Sequence, residues 1–170
     1  MSRLVFQLKI FCYELIDNRP IVYVDESGFA VDAPRDKGYS IKGKKCYAKK
    51  DWHARGRINA IGAITEFKLF NLGLFDCNIN SDIFHAWLTQ QLLPSTPKHA
   101  VIVLDNATFH KRNDTRTAIE KNGHTLEFLP PYSPDLNPIE KKWAQAKSIR
   151  RKYDYTPDEL FFLEFDSSEA

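Results

Sequence analysis

The sequence predicts an α/β protein: one mixed five-stranded sheet, strand order 3-2-1-4-5, with helices on both faces. Three observations predict it. Two alternating apolar segments, "RINAIGAITEF" and "KLFNLGLFDCNI", follow an earlier apolar run and make three consecutive antiparallel strands. Beyond residue 80, helical and strand patterns alternate. Right-handed crossovers then set the fourth strand beside the first and parallel to it.

The elements follow in chain order. Leu4, Val5, Leu8, Phe11, Cys12, Leu15 and Ile16 keep the 3.6-residue period of an amphipathic helix. "RPIVYVDES" reads as a buried strand of β-branched residues that ends in acids. Residues 32–51 are polar, basic and glycine-containing, which predicts a loop or an irregular hairpin arm. The second and third strands turn near Glu66 to Lys68. Asn80 or Ser81 caps a helix to about Leu93, with Phe84, Trp87, Leu88 and Leu92 along one face and Pro94 and Pro97 closing it. "HAVIVLDNA" is the fourth strand, again apolar until an acid ends it. Asn113 caps a short helix that stops at Gly123, and "TLEFLP" is the fifth strand. The proline-rich "LPPYSPDLNPIEKKW" turns into a helix from Pro138 to about Tyr153, and a last helix begins at Thr156-Pro157. The domain organisation predicted is an N-terminal helix and linker (1–18), a domain built on the five-stranded sheet (19–153), and a C-terminal helix with an acidic tail (154–170).

Composition bounds the function. At 170 residues, 43% hydrophobic and 13% aromatic, the chain supports one globular domain with a core. The net charge of +2 hides an uneven distribution: residues 35–57 carry nine Lys/Arg against two acids, and residues 141–152 carry six with none. Two such clusters are either solvated faces or a surface for a polyanion. Cys12, Cys46 and Cys77 have no C-x-x-C spacing, which excludes a zinc site or a disulfide framework. No signal peptide and no run of ~20 apolar residues is present, so the expectation is a cytoplasmic protein with no membrane span.

The acids carry the chemistry. The tips of the first and fourth strands meet at the carboxyl edge of the sheet, where α/β proteins tend to place their sites, and they carry Asp25 and Asp105. Two carboxylates that close need a cation between them. Oxygen-only ligands favour Mg²⁺ or Mn²⁺, and such ions serve two-metal phosphoryl transfer. Glu140 is the candidate third carboxylate, in the first turn of a helix with Asn137 as cap and Pro138 at its first position. The same N-x-x-E spacing also makes a capping box, and spacing alone leaves both open. Glu26 points to the opposite face from Asp25, and Asp135 suits a turn. Trp143 shares an apolar stripe with Ile139, Ala146 and Ile149. Around that stripe Lys141, Lys142, Lys147, Arg150, Arg151 and Lys152 form either a solvated face or a holder for backbone phosphates. His110, five residues past Asp105, is a DNA contact, a modulator of the site, or a plain loop histidine.

"IVYVDESGF", "VIVLDNATFH" and "LPPYSPDLNPIEKKW" closely resemble the three acidic motifs of mariner-like transposases, especially their bacterial insertion-sequence relatives. Thirty-four residues separate Asp105 from Glu140, a spacing typical of that D-D-E catalytic domain. The resemblance covers about residues 15 to 165 and selects the site reading of Glu140 over the capping box. It implies a ribonuclease-H-like fold, with Asp25, Asp105 and Glu140 as catalytic ligands of two Mg²⁺ (or Mn²⁺) ions. It also implies cleavage at transposon ends and attack of the freed 3′-hydroxyl on target DNA. The implied partners are double-stranded DNA and a second copy of the chain. Family members usually carry helix-turn-helix modules of roughly a hundred residues ahead of this domain, whereas about twenty residues precede the first strand here. A separately encoded or frameshift-fused DNA-binding segment is therefore expected. Two other expectations stand beside the transposase: a catalytically idle DNA-binding or dimerisation remnant, and a ribonuclease-H-like nuclease that only hydrolyses.

Overall fold

The computed structural model describes residues 2–30 and 56–166. The arm expected over residues 32–51, most of the first basic cluster, Cys46 and the end of the acidic tail lie outside the described residues.

Ser2 accepts a hydrogen bond from the Val5 N–H (3.3 Å) and starts helix α1 (Arg3–Phe11), which continues through a π-helical turn, Cys12–Ile16. Strands β1 (Ile21–Ala30), β2 (Arg57–Thr65) and β3 (Lys68–Phe75) follow. Glu66 (φ 48°) and Phe67 (φ 63°) turn β2 into β3, both in the left-handed region that two-residue hairpins require. Asn80 caps α2 (Ser81–Trp87) by accepting from the Asp82 and Ile83 N–H groups at 3.0 and 2.9 Å. A π-helical turn (Leu88–Leu92) and the short α3 (Leu93–Ser95) complete that helix. Then come β4 (Val101–Leu104), α4 (Asn113–Lys121), β5 (Thr125–Phe128), α5 (Ile139–Tyr153) and α6 (Pro157–Asp166). The cap position of α4 is Arg112, and Asn113 is its first helical residue.

The sheet order is β3-β2-β1-β4-β5, as the sequence predicts. β1 pairs antiparallel with β2 from Tyr23↔Ile64 to Ala30↔Arg57. It pairs in parallel with β4 only from Ile21↔Val101 to Tyr23↔Val103. The first strand was expected to end at its acids; it runs on to Ala30 because β2 keeps supplying backbone partners after β4 has left the sheet. Asp25 therefore lies within a strand, at the step where one neighbour stops.

Alternation along the strands builds two cores. On one face Val22, Val24, Ile61, Ala63, Ile102 and Leu104 pack under Phe84, Trp87, Leu88 and Leu92, with Ile119 of α4. On the other, Phe29, Ala60 and Ile64 meet Ile139, Trp143 and Ala146 of α5 and Leu160 and Phe161 of α6. Removing a buried aromatic such as Trp143 would cost about 3–5 kcal/mol.

α1 forms where predicted but turns differently. Leu4, Leu8, Phe11, Leu15 and Ile16 are exposed, Ile16 at 71%. The buried line is Phe6 with Ile10 and Tyr13, packed on Ile21, Val101, Val103 and Leu129. Polar ties from distant chain set this rotation: Lys9 Nζ and Tyr13 Oη donate to Glu127 Oε1 at 2.9 and 3.0 Å, and Arg3 donates to Asp135. Those ties also occupy Asp135.

Candidate active site

Two register relationships bring the acids together. Extending the β1–β4 pairing two residues beyond Tyr23↔Val103 sets Asp105 beside Asp25. Across the antiparallel pair, Asp25 faces Gly62. With no side chain at Gly62, the Trp143 ring approaches the β2 backbone there: an added Cβ would stand 2.6 Å from Trp143 Cη2. Trp143 is three residues past Glu140, on the same side of α5, so seating Trp143 over Gly62 delivers the first turn of α5 to Asp25.

The capping-box alternative for Glu140 is not what the backbone does. α5 starts at Ile139 with Pro138 in the cap position and no side-chain cap bond. The Asn137 N–H, which a capping-box glutamate would take, donates instead to the Pro134 carbonyl at 2.9 Å. Glu140 is exposed. Together with Asp25, Asp105, Asn106, Asn137 and the turn Leu129–Pro134, it lines one open cleft of about 390 Å³. The proline-rich run thus forms a wall of the cleft as well as the approach to α5.

Asp105 follows the last residue of β4 and is held from outside the strand ladder. Its Oδ1 accepts from the Ala107 N–H at 3.0 Å and from His110 Nδ1 at 2.6 Å. The other ring nitrogen of His110, Nε2, lies 2.9 Å from Glu26 Oε1. The ring is 1% exposed and packs against Phe84, with centroids 4.3 Å apart. Burial opposes a charge on His110, but the bonds to Asp105 and Glu26 outweigh it and raise its pKa to about 9. Burial likewise opposes the Asp105 charge, and the His110 and Ala107 bonds overcome it, holding that carboxyl below its usual range. His110 and Asp105 therefore form an ion pair at neutral pH.

Asp25 behaves oppositely. It is 9% exposed. Burial, then the negative charges of Glu26, Glu140 and Asp105, push its carboxyl up to about 7. A cation in the cleft would reverse that repulsion. The donor set fits a hard divalent ion: three carboxylates, with Asp105 Oδ1 engaged by the protein and Oδ2 left as donor. As they stand, no three His, Cys, Asp or Glu side chains among the described residues are gathered tightly enough to hold a metal ion.

The basic residues divide. Lys141, Lys147 and Arg151 are exposed, Lys142 is half-buried, and Lys147 Nζ lies 5.6 Å from the Phe29 ring centroid. Arg150 is only 6% exposed; its Nε donates to the Tyr155 carbonyl at 2.9 Å and its Nη1 to the Ala30 carbonyl. It ties α5 to the end of β1 and to the start of α6, so the expected DNA contact at Arg150 is corrected to a structural role. His110 is corrected similarly: buried between two carboxylates, it is not presented to DNA. Glu26 is the residue that sequence reasoning set aside. An acid on a buried strand needs a positive partner, and the histidine following the adjacent parallel strand was available to supply it.

The sheet order β3-β2-β1-β4-β5, flanked by helices, is that of a ribonuclease-H-like fold. The model of the DDE superfamily endonuclease family matches residues 20–159, and the chain belongs to that family. The Tc3 transposase of Caenorhabditis elegans is 28% identical over 131 residues, 73% of this chain and 40% of that protein. The chain thus spans well under half the length of this relative. Among solved structures, the Mos1 transposase paired-end complex with left transposon end superposes with a TM-score of 0.67 at 18% identity, covering 87% of this chain and 47% of that one. The mariner Mos1 paired end complex with Mg gives 0.61 at 20% identity, over 88% and 51%. Among the described residues no helix is long and apolar enough to cross a membrane.

Proposed function

We propose that this chain is the catalytic part of a DNA transposase, cleaving DNA at transposon ends and joining the freed 3′-hydroxyl to target DNA. One observation carries the proposal: carboxylates from β1, the end of β4 and the first turn of α5 line a single cleft, where burial and then the charges of Glu26, Glu140 and Asp105 lift Asp25 to about 7. Asp25, Asp105 and Glu140 would hold two divalent ions, Mg²⁺ or Mn²⁺. When bound, such ions supply a nucleophilic oxygen at neutral pH and neutralise charge on the leaving oxygen. The protein's own part is placement. Asp105 is fixed in its charged form by His110 and the Ala107 N–H. Asp25 comes from the rigid sheet, and Glu140 is carried by a helix seated through Trp143.

Lys141, Lys142, Lys147 and Arg151 follow Glu140 along α5 and would hold backbone phosphates, giving affinity without base recognition. Recognition of a particular end then belongs to a helix-turn-helix segment supplied with or beside this chain. The working assembly is a homodimer on double-stranded DNA, in the cytoplasm of a bacterium. The test is incubation of the purified protein with Mn²⁺ and a pre-nicked transposon end. Strand-transfer products that disappear in Asp105→Ala support the proposal. Hydrolysis without joining would make the chain a nuclease, and DNA binding without Mn²⁺ binding would make it an idle remnant.

A further inference from the structure

Glu26 neighbours Asp25 in sequence, yet it does not line the cleft. Strand alternation sends it to the opposite face, where it is 19% exposed and its Oε1 meets His110 Nε2 at 2.9 Å. His110 then reaches Asp105 with its other nitrogen, at 2.6 Å. The ring is held at each nitrogen by a carboxylate, so its plane is fixed at both ends. The Phe84 ring, 4.3 Å away between centroids, packs on it and leaves the imidazole little freedom to turn.

This matters because Asp105 has no strand to hold it. β4 ends at Leu104, and Asp105 begins the irregular stretch before the 3₁₀ turn Thr108–Lys111. Both of its protein contacts fall on Oδ1, which fixes the direction of Oδ2. Remove Glu26 and His110 loses the carboxylate at Nε2, and Asp105 inherits the looseness.

We propose that Glu26 is a positioning residue: acting through His110 it orients the Asp105 carboxylate toward the cleft. The inference rests on the reading of Asp105 as a metal ligand. Partners that orient ligands in this way typically contribute about 10–100-fold to metal affinity.

A simple field effect would look similar, because Glu26 is also a negative charge near the cleft. Two substitutions separate the cases. Glu26→Ala removes both charge and acceptor; Glu26→Gln removes the charge and keeps an acceptor for His110 Nε2. Mn²⁺ affinity is measured by calorimetry on the full chain, together with Tm and the side-chain ¹⁵N shifts of His110. Positioning requires Glu26→Ala to weaken Mn²⁺ binding about tenfold or more, with Tm little changed and the His110 shifts moved. Glu26→Gln must stay within about threefold of the parent. Equal weakening in both variants would assign the effect to charge and overturn the proposal, as would full affinity in Glu26→Ala. Should Glu26→Ala not fold, Glu26→Asp, too short to span to the ring, replaces it with the same expected loss. Asp105→Asn is the control: if it binds Mn²⁺ like the parent, Asp105 is no ligand, and the site reading falls with the proposal. Full affinity in Glu26→Ala alongside loss in Asp105→Asn would sink the positioning role and leave the site standing.

Discussion

Trp143 occupies the space that a side chain at residue 62 would need: a Cβ on Gly62 would come within 2.6 Å of Cη2 and 2.9 Å of Cζ2 of the indole. Gly62 is also the cross-strand partner of Asp25. One missing side chain therefore sets how closely the helix bearing Glu140 approaches the strand bearing Asp25. Gly62→Ala should push α5 outward and destabilise the protein by about 1–3 kcal/mol. It should also weaken Mn²⁺ binding, although residue 62 is no ligand. Calorimetry and thermal melts on the one variant test both; a melt shift with unchanged Mn²⁺ affinity would separate Trp143 seating from Glu140 placement.

The pH dependence of the ion-free protein follows from Asp25 and His110. Asp25 titrates near 7 in the fold against 3.8 in the reference state, so the native state binds more protons between those values and stability falls as pH rises through them. His110 is raised from 6.5 to about 9, so its contribution is complete below 6.5 and is lost as pH climbs through 9. Both slopes have the same sign. Stability without divalent ions should decline from about pH 4 to pH 9, and Mn²⁺ should flatten the acidic half of that decline. Urea melts across this range measure it.

Asp25→Asn isolates one of these contributions. It removes a buried charge that three other acids disfavour, and so should stabilise the ion-free protein at pH 8 by about 2–4 kcal/mol. At pH 4 it should change little. DNA cleavage should be lost in the same variant, a gain in stability that coincides with loss of function.

Glu140→Gln should leave the fold intact, because Glu140 is exposed and caps nothing. Strand cleavage should fall by at least about 100-fold. Chelation by EDTA should abolish cleavage in the parent protein and be reversed by added Mn²⁺.

Arg150 and Arg151 are neighbours with opposite expected phenotypes. Arg150→Ala breaks the ties to Ala30 and Tyr155 and should cost about 1.5–3 kcal/mol of stability. Arg151→Ala should weaken binding to any DNA sequence and lower the salt slope of log K by about one. Filter binding at several salt concentrations, beside thermal melts, compares the two.

Much of the architecture is legible in the chain because it rests on local pattern. Val22, Val24, Ile102 and Leu104 announce strands, and the helices between them force the crossover that sets Asp105 beside Asp25. What escapes is set by partners far away in sequence. The end of β1 depends on how long β2 accompanies it, which no residue of β1 reports. Periodicity reveals α1 as a helix, but its rotation is decided by Glu127 and Asp135, more than a hundred residues on. The Glu26–His110 contact spans 84 residues, and His110 carries it on to Asp105 past the end of β4. Arg150 reads as one more surface cation until its two carbonyl acceptors are seen.

The early departure of β4 has a consequence for how the chain tolerates insertions and deletions. One residue gained or lost between Val101 and Asp105 would turn Asp105 to the other side of the pleat. One gained or lost between Asp105 and His110 would pull the imidazole off its carboxylates. These ten consecutive positions, Val101 to His110, behave as a ruler with no slack.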